Sequence, residues 1–138
     1  MVELSKQVQI YGVGTTGTSG ELRGGIIDMA SNGGWESIMA VGFQSASQED
    51  ALVKFQTGTA SGSLADTTGE AAGKTTLYLD CFRPRHRFVE AVFEAGSATI
   101  AFRSLHTFVY GGRKQPATQP ASTTGDYVQT PGVGSATA

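Results

Sequence analysis

Cysteine is nearly missing from this sequence: Cys81 is the only one among 138 residues. An internal disulfide and a cysteine-rich zinc site are therefore excluded. Charge is scarce too, with Asp, Glu, Lys and Arg making up only 16% of the chain, against about 25% in ordinary soluble domains. The formal net charge of −2 excludes the strongly basic character on which nonspecific nucleic-acid binding rests. No run of apolar residues approaches the ~20 needed to cross a bilayer as a helix. The opening Met1-Val2-Glu3-Leu4-Ser5-Lys6 lacks the apolar stretch of a secretory signal. These absences point to synthesis in a reducing cytoplasm and to no membrane partner.

What the chain has in quantity is glycine, 19 residues, together with abundant Ser and Thr. That mixture disfavours helices and suits short strands joined by turns. Val2, Leu4, Val8 and Ile10 alternate with polar residues, the period-two signature of a half-buried strand, which the glycines from Gly12 to Gly20 are expected to end. Leu22–Met29 reads as a second strand, with a bulge at Gly24-Gly25. Residues 35–43 read as a third, with Trp35, Met39, Val41 and Phe43 on one strongly apolar face. Around Ala51–Phe55 a strand with Ala51, Val53 and Phe55 inward is preferred over a helical turn. Thr57–Lys74 holds few large apolar residues and is expected to be a long surface loop. Thr75–Phe82, Arg87–Ala95, Ala98–Arg103 and Leu105–Tyr110 follow as strands, with a tight hairpin expected at Glu94-Ala95-Gly96-Ser97.

The sum is one all-β domain over residues 1–110, a jelly-roll-like antiparallel β-sandwich of about eight short strands. Residues 111–138 form an extended Gly/Pro/Thr/Ala-rich tail, which cannot offset its ordering entropy with a core of its own and is either disordered or ordered along a neighbour.

Chemistry is harder to find. Gly12-Val13-Gly14-Thr15-Thr16-Gly17 matches a dinucleotide fingerprint, but Thr18–Gly25 is a poor helix former, and the phosphate site needs a helix N-terminus there. Cys81 and His86 are separated by Pro84 and read as a buried, inert thiol and an unrelated imidazole. His86 and His106 lack metal-ligand spacing, and the carboxylates are scattered. No cofactor, no metal and no catalytic set is expected, and the chain is not expected to be an enzyme.

Charge is divided unevenly. Residues 1–80 carry nine acids and four bases, residues 81–138 six bases and three acids, a division that favours like-with-like assembly between copies. Arg83-Pro84-Arg85-His86-Arg87 concentrates three of the six arginines in five residues. Pro84 keeps the segment at a strand edge or in a rigid connection, from which the guanidinium groups can reach carboxylates bidentately; a solvated basic loop is the plain alternative.

Two segments, Leu77–Val89 with its Asp80-Cys81-Phe82-Arg83-Pro84-Arg85-His86-Arg87-Phe88-Val89 core, and Phe108–Gln119 with Tyr110-Gly111-Gly112-Arg113-Lys114-Gln115-Pro116, together resemble the capsid cement (decoration) proteins of tailed phages. The resemblance covers about 40 residues. It implies a jelly-roll sandwich that forms a homotrimer on the outer surface of an icosahedral capsid and stabilises it by bridging subunits of the major capsid protein. Arg83, Arg85, Arg87, Arg113 and Lys114 are the partner-binding candidates on that reading. The alternative is a virion-associated β-sandwich that binds a carbohydrate or receptor through exposed aromatics, for which Trp35, Tyr78 and Tyr110 are the candidates.

Overall fold

The computed structural model describes residues 7–18, 20–95, 100–113, 117–121 and 123. Their regular structure is almost wholly extended: β1 (Gln9–Thr18), β2 (Glu21–Asp28), β3 (Ser37–Gln44), β4 (Leu52–Ala60), β5 (Ser63–Ala72), β6 (Thr76–Phe82), β7 (Phe88–Glu94) and β8 (Ile100–Tyr110), with a 3-10 turn at Ser31–Gly33. All strand pairs are antiparallel. They make two four-stranded sheets, a first in the order β1-β8-β3-β6 and a second in the order β2-β7-β4-β5. Pairs β1/β8, β2/β7, β3/β6 and β4/β5 are the rungs of one long hairpin rolled over on itself into a sandwich.

The core lies between the sheets. Ile38 and Ala40 of β3, Leu105 and Val109 of β8, Val53 of β4, and Val89, Ala91 and Phe93 of β7 are fully buried. Each such large side chain contributes about 1.5–3 kcal/mol by leaving water. Ala51, Val53 and Phe55 all point inward, and β2 shifts register between Arg23 and Ile26, where Gly24-Gly25 forms the expected bulge.

Several local expectations are corrected. β1 runs on through the glycines, because the His106 imidazole of β8 lies across Gly12, where a Cβ would come within 2.9 Å of Nδ1. The stretch expected to be a loop contains β5, an edge strand pairing with β4 alone and largely solvent-facing, so no hydrophobic period marks it. It is pinned by Thr67 Oγ1 donating to the Phe55 carbonyl and by Lys54 and Gln56 bonding Asp66. β7 and β8 belong to different sheets and do not pair with each other; of the hairpin expected at Glu94-Ala95-Gly96-Ser97, residues 96 and 97 lie outside those described. β8 is one strand where two were expected. Val2 and Leu4, expected in the first strand, also lie outside the described residues.

The strongly apolar face of β3 is the outward one. Ile38, Ala40, Gly42 and Gln44 are the buried set, while Met39, Val41 and Phe43 turn away from the core. Both faces of the strand are apolar, and Trp35 lies in the connection before it, itself buried.

Candidate functional site

The β2–β3 connection, the β6–β7 connection and the chain leaving β8 gather at one end of the sandwich. There they enclose an open depression of about 380 Å³, whose wall includes Trp35, Arg85, His86, Arg87 and Arg113. Four of the five arginine and lysine candidates therefore come to one end of the molecule; Lys114 lies outside the described residues.

The structure divides these arginines into two kinds. Arg87 holds Asp28 bidentately, Nε to Oδ1 and Nη2 to Oδ2 at 2.7 Å each. The Arg87 fork, helped by the Ala30 N–H, holds the Asp28 carboxyl below the usual carboxylate range. Arg83, the one described non-glycine residue with positive φ (52°), bonds Glu36 at 3.1 Å and stacks on the Phe82 ring at 5.0 Å. Arg85 and Arg113 are exposed, and no carboxylate among the described residues pairs with either guanidinium.

Topology explains why the uneven division of charge along the sequence does not survive folding. Rolling the hairpin sets the first half of the chain against the second. Asp28 and Glu36 from the acidic half meet Arg87 and Arg83, while Arg23 and Lys54 meet Glu90 and Glu94 from the other half. Each sheet also takes strands from both halves, so the division along the chain is not a division between two surfaces.

Two glycine positions set the geometry of the depression. Gly112 presses on the Trp35 ring so closely that a Cβ there would stand 2.7 Å from Cζ3, and Gly111, at φ +67°, would meet the Glu36 Cβ at 2.9 Å. This close passage carries Arg113 over Gly34, to whose carbonyl the Arg113 N–H donates at 3.0 Å. The Tyr110-Gly111-Gly112-Arg113 run is thus the local device that places one guanidinium. The Trp35 indole N–H is buried and has no acceptor.

The outward faces of the two sheets differ sharply. On the second sheet, Arg23 bonds Glu21, Gln56 and Glu90, and Lys54 bridges Asp66 and Glu94, so the charges satisfy one another. On the first sheet the outward residues are Ile10 of β1, Phe102, His106, Phe108 and Tyr110 of β8, Met39, Val41 and Phe43 of β3, and Tyr78, Asp80 and Phe82 of β6. Phe43, Tyr78, Phe82 and Phe102 are 42%, 69%, 65% and 40% exposed, and the Phe43 and Phe102 rings lie 6.3 Å apart. Asp80 accepts from the Tyr110 hydroxyl, which raises the phenol pKa. The sequence signal for this face was present: an apolar residue at nearly every position of β3 means both of its faces seek cover.

The remaining candidates have structural places. Cys81 is half-buried against the core, and burial, then the Asp80 charge, pushes its thiol pKa up, opposite to the shift of a reactive cysteine. Among the described residues no three of His, Cys, Asp and Glu come together as metal ligands, and no helix is long and apolar enough to cross a membrane. Sequence reasoning passed over Arg103, whose side chain is buried, lies over the Phe93 ring at 5.6 Å and donates to the Gly20 carbonyl; burial lowers its pKa.

The described part of the tail lies along β1 of its own chain. Gln119 accepts from the Ile10 N–H and donates to the Val8 carbonyl, Thr123 donates to the Ile10 carbonyl, and Gln9 donates to the Thr118 carbonyl. One side-chain amide thus stands in for a neighbouring strand at the free edge of the first sheet.

No protein-family model and no curated protein matches the chain. Among solved structures it is similar to the PBSX exported protein XepA, with a TM-score of 0.64, 9% sequence identity and 94% of this chain covered. The chain spans about half of that protein, 46% of its length. At this identity the likeness shows the fold: an all-β sandwich of eight antiparallel strands in two sheets.

Proposed function

We propose that this chain is a non-catalytic structural protein of a tailed-phage virion, which binds the outside of the icosahedral capsid and stabilises it by bridging major capsid subunits, as a homotrimer. The observation that carries the packing role is the outward face of the first sheet, where four large aromatic side chains stand 40% or more exposed on one continuous, almost uncharged surface. A face of this kind marks a surface that another protein covers. The second sheet, with its charges mutually paired, is suited to solvent. The virion setting draws on the resemblance of Leu77–Val89 and Phe108–Gln119 to cement proteins, and on the likeness in fold to an exported protein of PBSX.

The carbohydrate or receptor reading has less support. Trp35 is buried under Gly112, and Tyr110 is half-buried and tied to Asp80, which leaves Tyr78 alone of the three aromatics it needs. The test is light scattering coupled to size exclusion on the purified chain, followed by mixing with capsids that lack it. A trimer that moves into the capsid fraction is expected; a monomer that ignores capsids refutes the proposal.

A further inference from the structure

Arginines in a folded protein usually find a carboxylate, and at this end of the sandwich two do. Arg83 and Arg87 are occupied by Glu36 and Asp28. Between them in sequence, Arg85 pairs with no carboxylate among the described residues, and Arg113, which reaches the same depression from beyond β8, likewise pairs with none of them. Two planar donor forks, each presenting five N–H groups, thus line one depression with no described carboxylate paired to either. The Trp35 side chain forms part of the wall beside them.

We propose that this depression is a carboxylate-recognition site, in which Arg85 and Arg113 grip an Asp or Glu side chain on an acidic segment of the protein this chain packs against. The inference rests on the packing role proposed above and names the chemistry of the contact. The volume of about 380 Å³ is at the lower end of the ~300–1,000 Å³ of ligand clefts, enough for a side chain with its flanking backbone. Two features select a single carboxylate over a polyanion. Glu36 and Asp28 already occupy Arg83 and Arg87, which leaves only the Arg85 and Arg113 forks for an incoming anion, and a net charge of −2 disfavours a long polyanion more than a single carboxylate. The site is also built to stay open: the close passage of Gly112 over Trp35 fixes the wall, and the Pro84 ring stiffens the connection that presents Arg85.

Trp35 is the only tryptophan, so its fluorescence reports on this wall alone. The experiment titrates the full chain, at low ionic strength, with an acetylated and amidated Gly-Glu-Asp-Gly peptide, with its Gly-Gln-Asn-Gly counterpart, and with a short single-stranded oligonucleotide. The acidic peptide is expected to change Trp35 emission saturably and the amide peptide to leave it unchanged. The exposed pair of substitutions Arg85→Ala with Arg113→Ala is expected to weaken the acidic peptide at least tenfold, with an unaltered circular-dichroism spectrum. Equal response to both peptides, no response to either, or undiminished binding by the double variant overturns the proposal. Tighter binding of the oligonucleotide, lost in the double variant, also overturns it, in favour of a phosphate site. Capsid mixing separates this inference from the function it rests on: double-variant protein that occupies capsids as fully as wild type sinks the site and leaves the packing role, whereas acidic-peptide binding by a chain that ignores capsids keeps the site and sinks the virion reading.

Discussion

Replacing Phe82 by serine isolates the packing face from the fold. Phe82 ends β6 with its ring outward and 65% exposed, so the isolated domain gains little from it beyond the stacking of Arg83 at 5.0 Å. A phenylalanine presents on the order of 200 Å², which leaves roughly 130 Å² of Phe82 open to a partner. Covering that area at about 25 cal/mol per Å² gains about 3 kcal/mol. By the rule that about 1.4 kcal/mol is tenfold, removing the ring weakens association on the order of a hundredfold. Stability of the isolated chain should change by only about 0.5 kcal/mol or less, as for exposed sites free of special roles. The assay pairs urea denaturation of the free chain with capsid occupancy measured by gel densitometry near half-saturation. A normal denaturation midpoint with occupancy falling to near zero is the expected result. Occupancy by F82S equal to that of wild type at the same half-saturating concentration refutes the argument that this face is covered, and a large loss of stability refutes the claim that Phe82 is a contact residue and not a core one.

Four further outcomes follow from the same geometry. Gly112→Ala drives a methyl into the Trp35 ring, with 2.7 Å to Cζ3, and should cost about 1–3 kcal/mol as overpacking does; a shift of Trp35 emission with the lowered urea midpoint checks it. Gly42→Ala places a Cβ 2.7 Å from Val53 Cγ2 and 2.9 Å from Phe93, so it should destabilise by a similar amount, with no effect on Trp35 emission while folded. Asp28→Asn removes the partner of Arg87. Because the folded pKa of Asp28 lies below its ordinary 3.8, its contribution is present above that value and lost as the pH falls through the folded pKa; the stability gap between wild type and D28N, measured by denaturation across pH 7 to 2, should close at the acid end. Gln119→Ala removes the amide that accepts from Ile10 and donates to Val8, and should raise hydrogen exchange at the Ile10 amide while β3 and β7 amides stay protected.

The strands that bury one face and wet the other were legible in the residues. Ala51, Val53 and Phe55, and the bulge at Gly24-Gly25, stand as their pattern implies, since a period of two has one inward solution when a core exists. β5 was hidden because an edge strand needs only backbone partners from β4, and its Gly, Ser, Thr and Ala side chains carry no pattern to read. Gly12 misled for the opposite reason: a residue that ends many strands was here one whose missing Cβ leaves room for the His106 ring. The arginine segment and the Tyr110-Gly111-Gly112-Arg113 run were both visible, although nothing local said that they meet.

By itself, then, the sequence determined the class of structure: scant charge, one cysteine, abundant glycine and short apolar alternations leave a small β-sandwich as the economical way to form a core. Tertiary structure decided the rest, because it depends on which strands pair. Rolling the β1/β8 to β4/β5 hairpin turned Met39, Val41 and Phe43 outward, set Asp28 and Glu36 against Arg87 and Arg83, and left Arg85 and Arg113, 28 residues apart by their numbering, lining one depression with no described carboxylate paired to either. Neutralisation and exposure are properties of neighbours in space, and here those neighbours are set by a topology that joins the two halves of the chain.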